Sequence, residues 1–139
     1  MAYDANNIFA RIARGEIPCH KVYEDAETLA FMDIMPQAEG HTLVIPKQAG
    51  ADIHSTPPES LAAAIRTTQK VARAVAAVFA PPGIMIAQLN GAAAGQSVFH
   101  LHFHVIPRYA GKDLGIHAAR QADPAVLAEH AARLRAAIE

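Results

Sequence analysis

The sequence has 139 residues, 52% of them hydrophobic, a net charge of −1 and a single cysteine. That length suits one domain with one core, and one cysteine excludes an internal disulfide. Lys and Arg form no cluster, so neither a nucleic-acid groove nor an acidic membrane surface is indicated as a partner. The opening "MAYDANNIFARIARG" has no basic start leading into an apolar run, and later apolar stretches are too interrupted to span a bilayer. A cytoplasmic, membrane-free protein is therefore expected.

The first predicted element is a helix from about Asn7 to Arg14, with Ile8, Phe9 and Ile12 on one face, Asn6 or Asn7 as cap and Gly15 at its end. Pro18 forces extended chain. Cys19, between Pro18 and His20, reads as a small packed residue rather than a nucleophile. "HKVYE" and "TLAFMDI" read as strands around the turn "EDAE". Leu29, Phe31 and Asp33 share a face of the second, and a carboxylate there is odd for a pure core strand. "HTLVIP" is the next strand, with His41, Leu43 and Ile45 on one side.

"STPPES" opens a long helix, with Thr56 as cap, Pro57 as first helical residue and Glu59 completing a capping box. Leu61, Ile65, Thr68, Ala72, Val75 and Phe79 form its expected buried stripe. After "APPG" come a strand "IMIAQL", a glycine loop "NGAAAGQ" and a strand "SVFHLHFHVI" ended by Pro107. "GKDLG" reads as a loop. "DPAVLAEHAARLRAAIE" reads as a capped helix with Leu127, Ala131, Leu134 and Ile138 inward. Short links between successive strands favour an antiparallel sheet of the α+β class, in one domain over 1–139.

Alternation on a strand places His100, His102 and His104 on one face, each about 6.5–7 Å from the next. Phe99, Leu101, Phe103 and Val105 take the other face, toward helices. Packing alone does not explain three imidazoles in register. One reading is a metal site, since His-x-His on a strand is a common ligand pair. It lacks a cysteine pair, and no carboxylate stands nearby before Asp113. The other is nucleophilic catalysis, with a neutral imidazole attacking phosphorus and its neighbours orienting it, binding oxygens or moving a proton. The loop "GAAAGQS" directly before the histidines can aim backbone N–H groups at an anion, which favours phosphoryl or nucleotidyl transfer.

"GQSVFHLHFHVIPR", together with "NIFARIARGEIPCHKVYED" and "LAFMDIMPQAEGHTLVIPK", resembles the histidine triad (HIT) family, in particular its Hint branch and bacterial relatives. The resemblance covers about residues 6–110, with 111–139 matching less well. It implies a HIT-like fold: a five-stranded antiparallel sheet with a long helix and terminal helices, two such sheets joined in a homodimer. The stripe over 61–79 fits packing across a dimer axis and fits burial within one subunit equally.

The family implies hydrolysis or transfer of a purine nucleoside 5′-monophosphate from a phosphoramidate-type substrate, without a cofactor. By position in the motif, His102 is the nucleophile, His100 orients the site, His104 binds phosphate oxygens, and His41 is the fourth site histidine. Gln96 and Ser97 assist around the phosphate and leaving group, following Gly95 in the loop. Asp33 receives the ribose hydroxyls, and Ile8, Phe9, Ile12, Phe31 and Ile34 line the base pocket. Relatives with a structural zinc carry a Cys-x-x-Cys where Asn7 to Ala10 stand here and a histidine where Ala49 stands, so no metal is expected. Leu89 stands where the family usually has a polar residue, leaving Asn90 or Gln88 to supply that contact. Two other functions compete: a nucleotide-binding interaction module with weak chemistry, and a dinucleoside polyphosphate hydrolase.

Overall fold

Local chemistry sets the first element. In the computed structural model, which describes residues 2–111 and 120–138, helix α1 covers Ile8–Ala13. Asn7 is its cap, with Oδ1 accepting the Ala10 N–H at 2.8 Å. Gly15, at φ +78°, turns the chain away after it. Strands β1 (Lys21–Glu24), β2 (Thr28–Met32) and β3 (Thr42–Pro46) follow, then α2 (Pro58–Phe79), β4 (Gly83–Gln88), a single 3₁₀ turn at Ala92–Ala94, β5 (Phe103–Arg108) and α3 (Pro124–Ala137). Of the expected loop over 111–115, residues 112 onward, Asp113 included, lie outside the described residues.

The strands form one antiparallel sheet in the order β1-β2-β3-β5-β4. Every residue of β2 and β3 is buried, because both faces are covered. Ala30, Met32, Val44 and Val105 pack on one side with Val71 and Val75 of α2 and Leu127 and Leu134 of α3. Leu29, Phe31, Leu43 and Ile45 face the other way and pack with Phe9 of α1. The period of two thus sorts each central strand into a helix-facing set and a set facing α1. Asp123 caps α3 by accepting the Ala125 N–H at 2.9 Å.

Two expectations for α2 do not hold. Thr56 is not its cap: Pro57 occupies that position, Pro58 is the first helical residue, and no side chain caps the end. Two consecutive prolines remove N–H groups that a cap exists to satisfy. Thr56 instead closes the preceding loop, donating to the Asp52 carbonyl at 2.7 Å and accepting the Gly50 N–H at 3.1 Å. The buried stripe also differs. Ala63, Ala64, Thr67, Thr68, Val71, Ala74 and Val75 face the sheet, Leu61 and Ala72 lie on the flank, and Ile65 is 49% exposed. Small residues let α2 sit close to the sheet, and Thr67 is satisfied there by a 2.7 Å hydroxyl contact with Thr28. Among the described residues, no helix is long and apolar enough to cross a membrane.

The C-terminal end of α2 reaches the turn before β3. Gly40 has φ +92°, and a Cβ there would lie 2.8 Å from the Phe79 ring. Gly40→Ala combines left-handed strain with overpacking, and a loss of about 2–4 kcal/mol is expected. Urea denaturation read by midpoint at constant slope checks it.

Candidate active site

The antiparallel register between β3 and β5 builds the centre of the site. Leu43 pairs with His104, which brings His104 beside His41, the residue preceding β3. Strand β5 begins only at Phe103, so His100 and His102 lie on irregular chain before it. This corrects the expectation of one long strand with three imidazoles on one face. The Leu101 N–H donates to Gly50 O at 3.0 Å, outside the ladder, and the His102 ring turns back onto its own segment. His102 and His104 stay adjacent, ring centroids 4.9 Å apart, while His100 is fully buried elsewhere, under Tyr3.

The hydrogen-bond partners fix the tautomers. His102 Nδ1 lies 2.7 Å from the His100 carbonyl. A carbonyl only accepts, so Nδ1 carries the proton and Nε2 keeps its lone pair. His100 Nε2 lies 2.8 Å from the Pro46 carbonyl and therefore also carries its proton. His41 Nδ1 accepts the Gln37 N–H at 3.0 Å, so the His41 proton is on Nε2. That nitrogen faces His104 Nδ1 at 3.0 Å and the Asp33 carboxylate at 3.5 Å. A neutral His104 accepting at Nδ1 holds its proton on Nε2.

Asp33, His41 and His104 bring three potential ligand atoms within 4.8 Å of one another. His41 Nε2 can bind a cation only by giving up its proton, which would set a protonated Nδ1 against the Gln37 N–H. The donor set therefore fits hydrogen bonding from the His41 Nε2–H to His104 and Asp33 better than a metal. Asp33 is itself aimed by the turn after β2, with Oδ1 accepting the Met35 N–H at 2.8 Å.

These groups border a cavity of about 440 Å³. Its walls include Ile8, Phe9 and Ile12 of α1, Phe31 of β2, Asp33 and Ile34 just after it, and Ser97, His102 and His104. Phe9 meets the His102 ring edge-on at 4.8 Å and Phe31 at 5.4 Å, so α1 packs directly against this imidazole. His41 and His100 are buried behind the wall.

Asn90, Gly95 and Gln96 are not on the walls. The Gln96 amide is taken up by its own loop and the segment after β3: Nε2 donates to Ala51 O at 2.6 Å and Val98 O at 3.1 Å, and Oε1 accepts the Gly91 N–H at 2.7 Å. Gly95, at φ +98°, ends the 3₁₀ turn. Asn90 pairs with Gln88 at 2.8 and 3.0 Å and accepts the Ile53 N–H at 2.8 Å. Gln88 and Asn90 thus serve each other and the neighbouring loop, and Leu89 packs beside Gly95. Sequence reasoning missed Ile17, Pro18 and Cys19, which line the cavity. Only the Pro18 break hinted that the chain runs extended along a wall. Burial raises the Cys19 thiol above its ordinary pKa.

The HIT domain pattern matches residues 14–111. The chain belongs to the HIT family. A solved structure of a HIT-like protein involved in cell-cycle regulation from Bartonella henselae, holding an unknown ligand, is 48% identical, with TM-score 0.94 over 99% of this chain and 100% of that one. The protein hit of Bacillus subtilis is 45% identical over 78% of this chain and 74% of its own length. The adenosine 5′-monophosphoramidase of Schizosaccharomyces pombe is 44% identical over 73% of each. The five-stranded sheet with its helices is the fold of the solved HIT neighbours.

Two outcomes are expected from this geometry. Burial holds His100 below the ordinary imidazole pKa, opposed in part by its bond to Pro46. The unfolded chain therefore takes up the proton first. This contribution to stability is present above about pH 6.5 and falls away below it, by at most about 1.4 kcal/mol per pH unit. Denaturation midpoints from pH 8 to 5 should show the decline, and His100→Gln should flatten it. Gln96→Leu leaves the Gly91 N–H and Ala51 O without their side-chain partner, and a loss of about 1–3 kcal/mol is expected in the same assay.

Proposed function

We propose that this protein hydrolyses purine nucleoside 5′-phosphoramidates through a covalent nucleotidyl-histidine at His102. The observation that carries the reading is the His102 Nδ1–H bond to the His100 carbonyl, which leaves Nε2 as a lone-pair nucleophile on a cavity wall. Nε2 attacks the α-phosphorus, a P–N bond to His102 forms, and the P–N bond to the leaving amine breaks as the amine takes up a proton. Water then attacks the same phosphorus, the bond to Nε2 breaks, a proton is released and the monophosphate departs. Splitting the displacement this way asks the protein mainly for positioning and charge stabilisation.

His104 is suited to the second task. With its Nδ1 accepting from His41, its proton sits on Nε2, the nitrogen that would donate to a phosphate oxygen. Asp33 receives the ribose hydroxyls, and Ile8, Phe9, Ile12, Phe31 and Ile34 flank the base. Ser97 supplies a hydroxyl near the leaving group. Gln96, Gly95 and Asn90 act by holding the loop that carries Ser97. The adenosine phosphoramidase relative supports this substrate class. A homodimer accompanies the reading: β4 is an edge strand with Ile86 43% exposed, and Ile65 on α2 is 49% exposed. A second copy paired along β4 would cover both.

The test is release of AMP from adenosine 5′-phosphoramidate in the presence of EDTA. His102→Ala is expected to lose at least about 10³-fold in kcat with the fold intact. Tight AMP binding with no turnover above background in the wild type would favour the binding module instead, and faster cleavage of diadenosine polyphosphate would favour that branch. Asp33→Asn keeps the shape but weakens the acceptor, and is expected to raise KM about tenfold with a smaller change in kcat.

A further inference from the structure

We propose that Tyr3 is a positioning residue for the reaction: its hydroxyl is the second point, beside the Pro46 carbonyl, that holds the His100 imidazole in one orientation and so holds the carbonyl that orients His102. The inference rests on His102 as nucleophile. Tyr3 lies outside the residues matched by the HIT domain pattern. Its hydroxyl is nevertheless 2.8 Å from His100 Nδ1, across 97 positions of sequence.

The direction of that hydrogen bond follows from the other end of the ring. His100 Nε2 must donate to the Pro46 carbonyl, so in the neutral ring Nδ1 can only accept, and the Tyr3 O–H donates. Both nitrogens of a fully buried imidazole are then used, one by the end of β3 and one by the N-terminal segment. A ring flip breaks both bonds at once, and a change of tautomer breaks the bond to Pro46, since a carbonyl cannot donate. The same residue's carbonyl receives the His102 Nδ1–H at 2.7 Å. Clamping the His100 side chain at two points therefore fixes the acceptor that sets the tautomer and aim of the nucleophile. Tyr3 is shaped for this: its ring is tilted by 53° against His100, with centroids 5.8 Å apart, and one edge reaches solvent.

Without the hydroxyl, the buried Nδ1 loses its donor and the ring is held at one point, Pro46, in place of two. Tyr3→Phe removes only that hydroxyl and keeps the ring. Because the buried Nδ1 loses its donor, the denaturation midpoint of the variant is expected to fall, and turnover is measured at a temperature where the variant stays folded. Turnover of adenosine 5′-phosphoramidate is expected to fall about tenfold in kcat, the worth of one buried hydrogen bond, with KM changed less than about twofold. Long-range ¹H–¹⁵N spectra of the histidine rings provide the readout that a merely structural role would not move. Wild type should show His100 as a single Nε2–H tautomer with a hydrogen-bonded Nδ1, and Tyr3→Phe should shift the Nδ1 resonance while leaving His130 unchanged. An unchanged His100 resonance in the variant overturns the clamp. A shifted resonance with kcat within about twofold of wild type overturns the positioning role. If the wild type has no phosphoramidase activity, the hydrolase reading fails, and the spectra alone decide whether Tyr3 locks His100.

Discussion

The site depends on one hydrogen bond, from His102 Nδ1 to the carbonyl of His100. An isolated imidazole places its proton on either nitrogen with similar ease. A backbone carbonyl removes that freedom, because it offers lone pairs and no donor. Two of the other three site imidazoles are treated the same way, each tied by one nitrogen to a group of fixed polarity: His100 to the Pro46 carbonyl and His41 to the Gln37 N–H. His104 then inherits its tautomer from His41. Proton positions over four rings thus trace back to three backbone groups.

The sheet makes this arrangement rigid. β2 and β3 are buried on both faces; Asp33 and His41 flank them, and the Pro46 carbonyl is at the end of β3. Their positions are held by the two clusters, the helix-facing one and the one built around Phe9, Phe31 and Leu43. Helix α1 joins the second cluster to the site, since Phe9 packs on Phe31 and on the His102 ring together. Apolar packing and imidazole orientation are therefore not separable here. The loop over 88–96 adds a third support, in which Gln88, Asn90 and Gln96 spend their amides on neighbouring backbone and on one another.

Much of this was readable in the sequence. Period-two alternation separated the two faces of β2 and β3, Asn7 and Asp123 marked helix starts, and His100, His102 and His104 marked a cluster of imidazoles. The apolar residues of α1, Phe31 and the oddly placed Asp33 do meet at one cavity. Thr56 misled because a capping signature reads the same whether or not the following prolines leave N–H groups to cap. Ile65 misled because helical period identifies an apolar face without saying which neighbour covers it. Gln96 and Asn90 misled because an amide near a site binds a ligand or its own loop with equal chemistry.

What the sequence determined by itself is local: side-chain type, strand alternation, helix ends and the cluster of histidines, all set by interactions within a few residues. Tertiary structure alone decided where β5 begins, which imidazoles reach the cavity, and which nitrogen of each ring holds the proton. Those outcomes depend on partners far away in sequence. Gly50 takes the Leu101 N–H, Pro46 and Tyr3 take the two sides of His100, and His41 meets His104 only because β3 pairs with β5. A hydrogen bond has direction and a fixed length, so its partner is chosen by where the fold puts it, and no pattern along the chain encodes that distance.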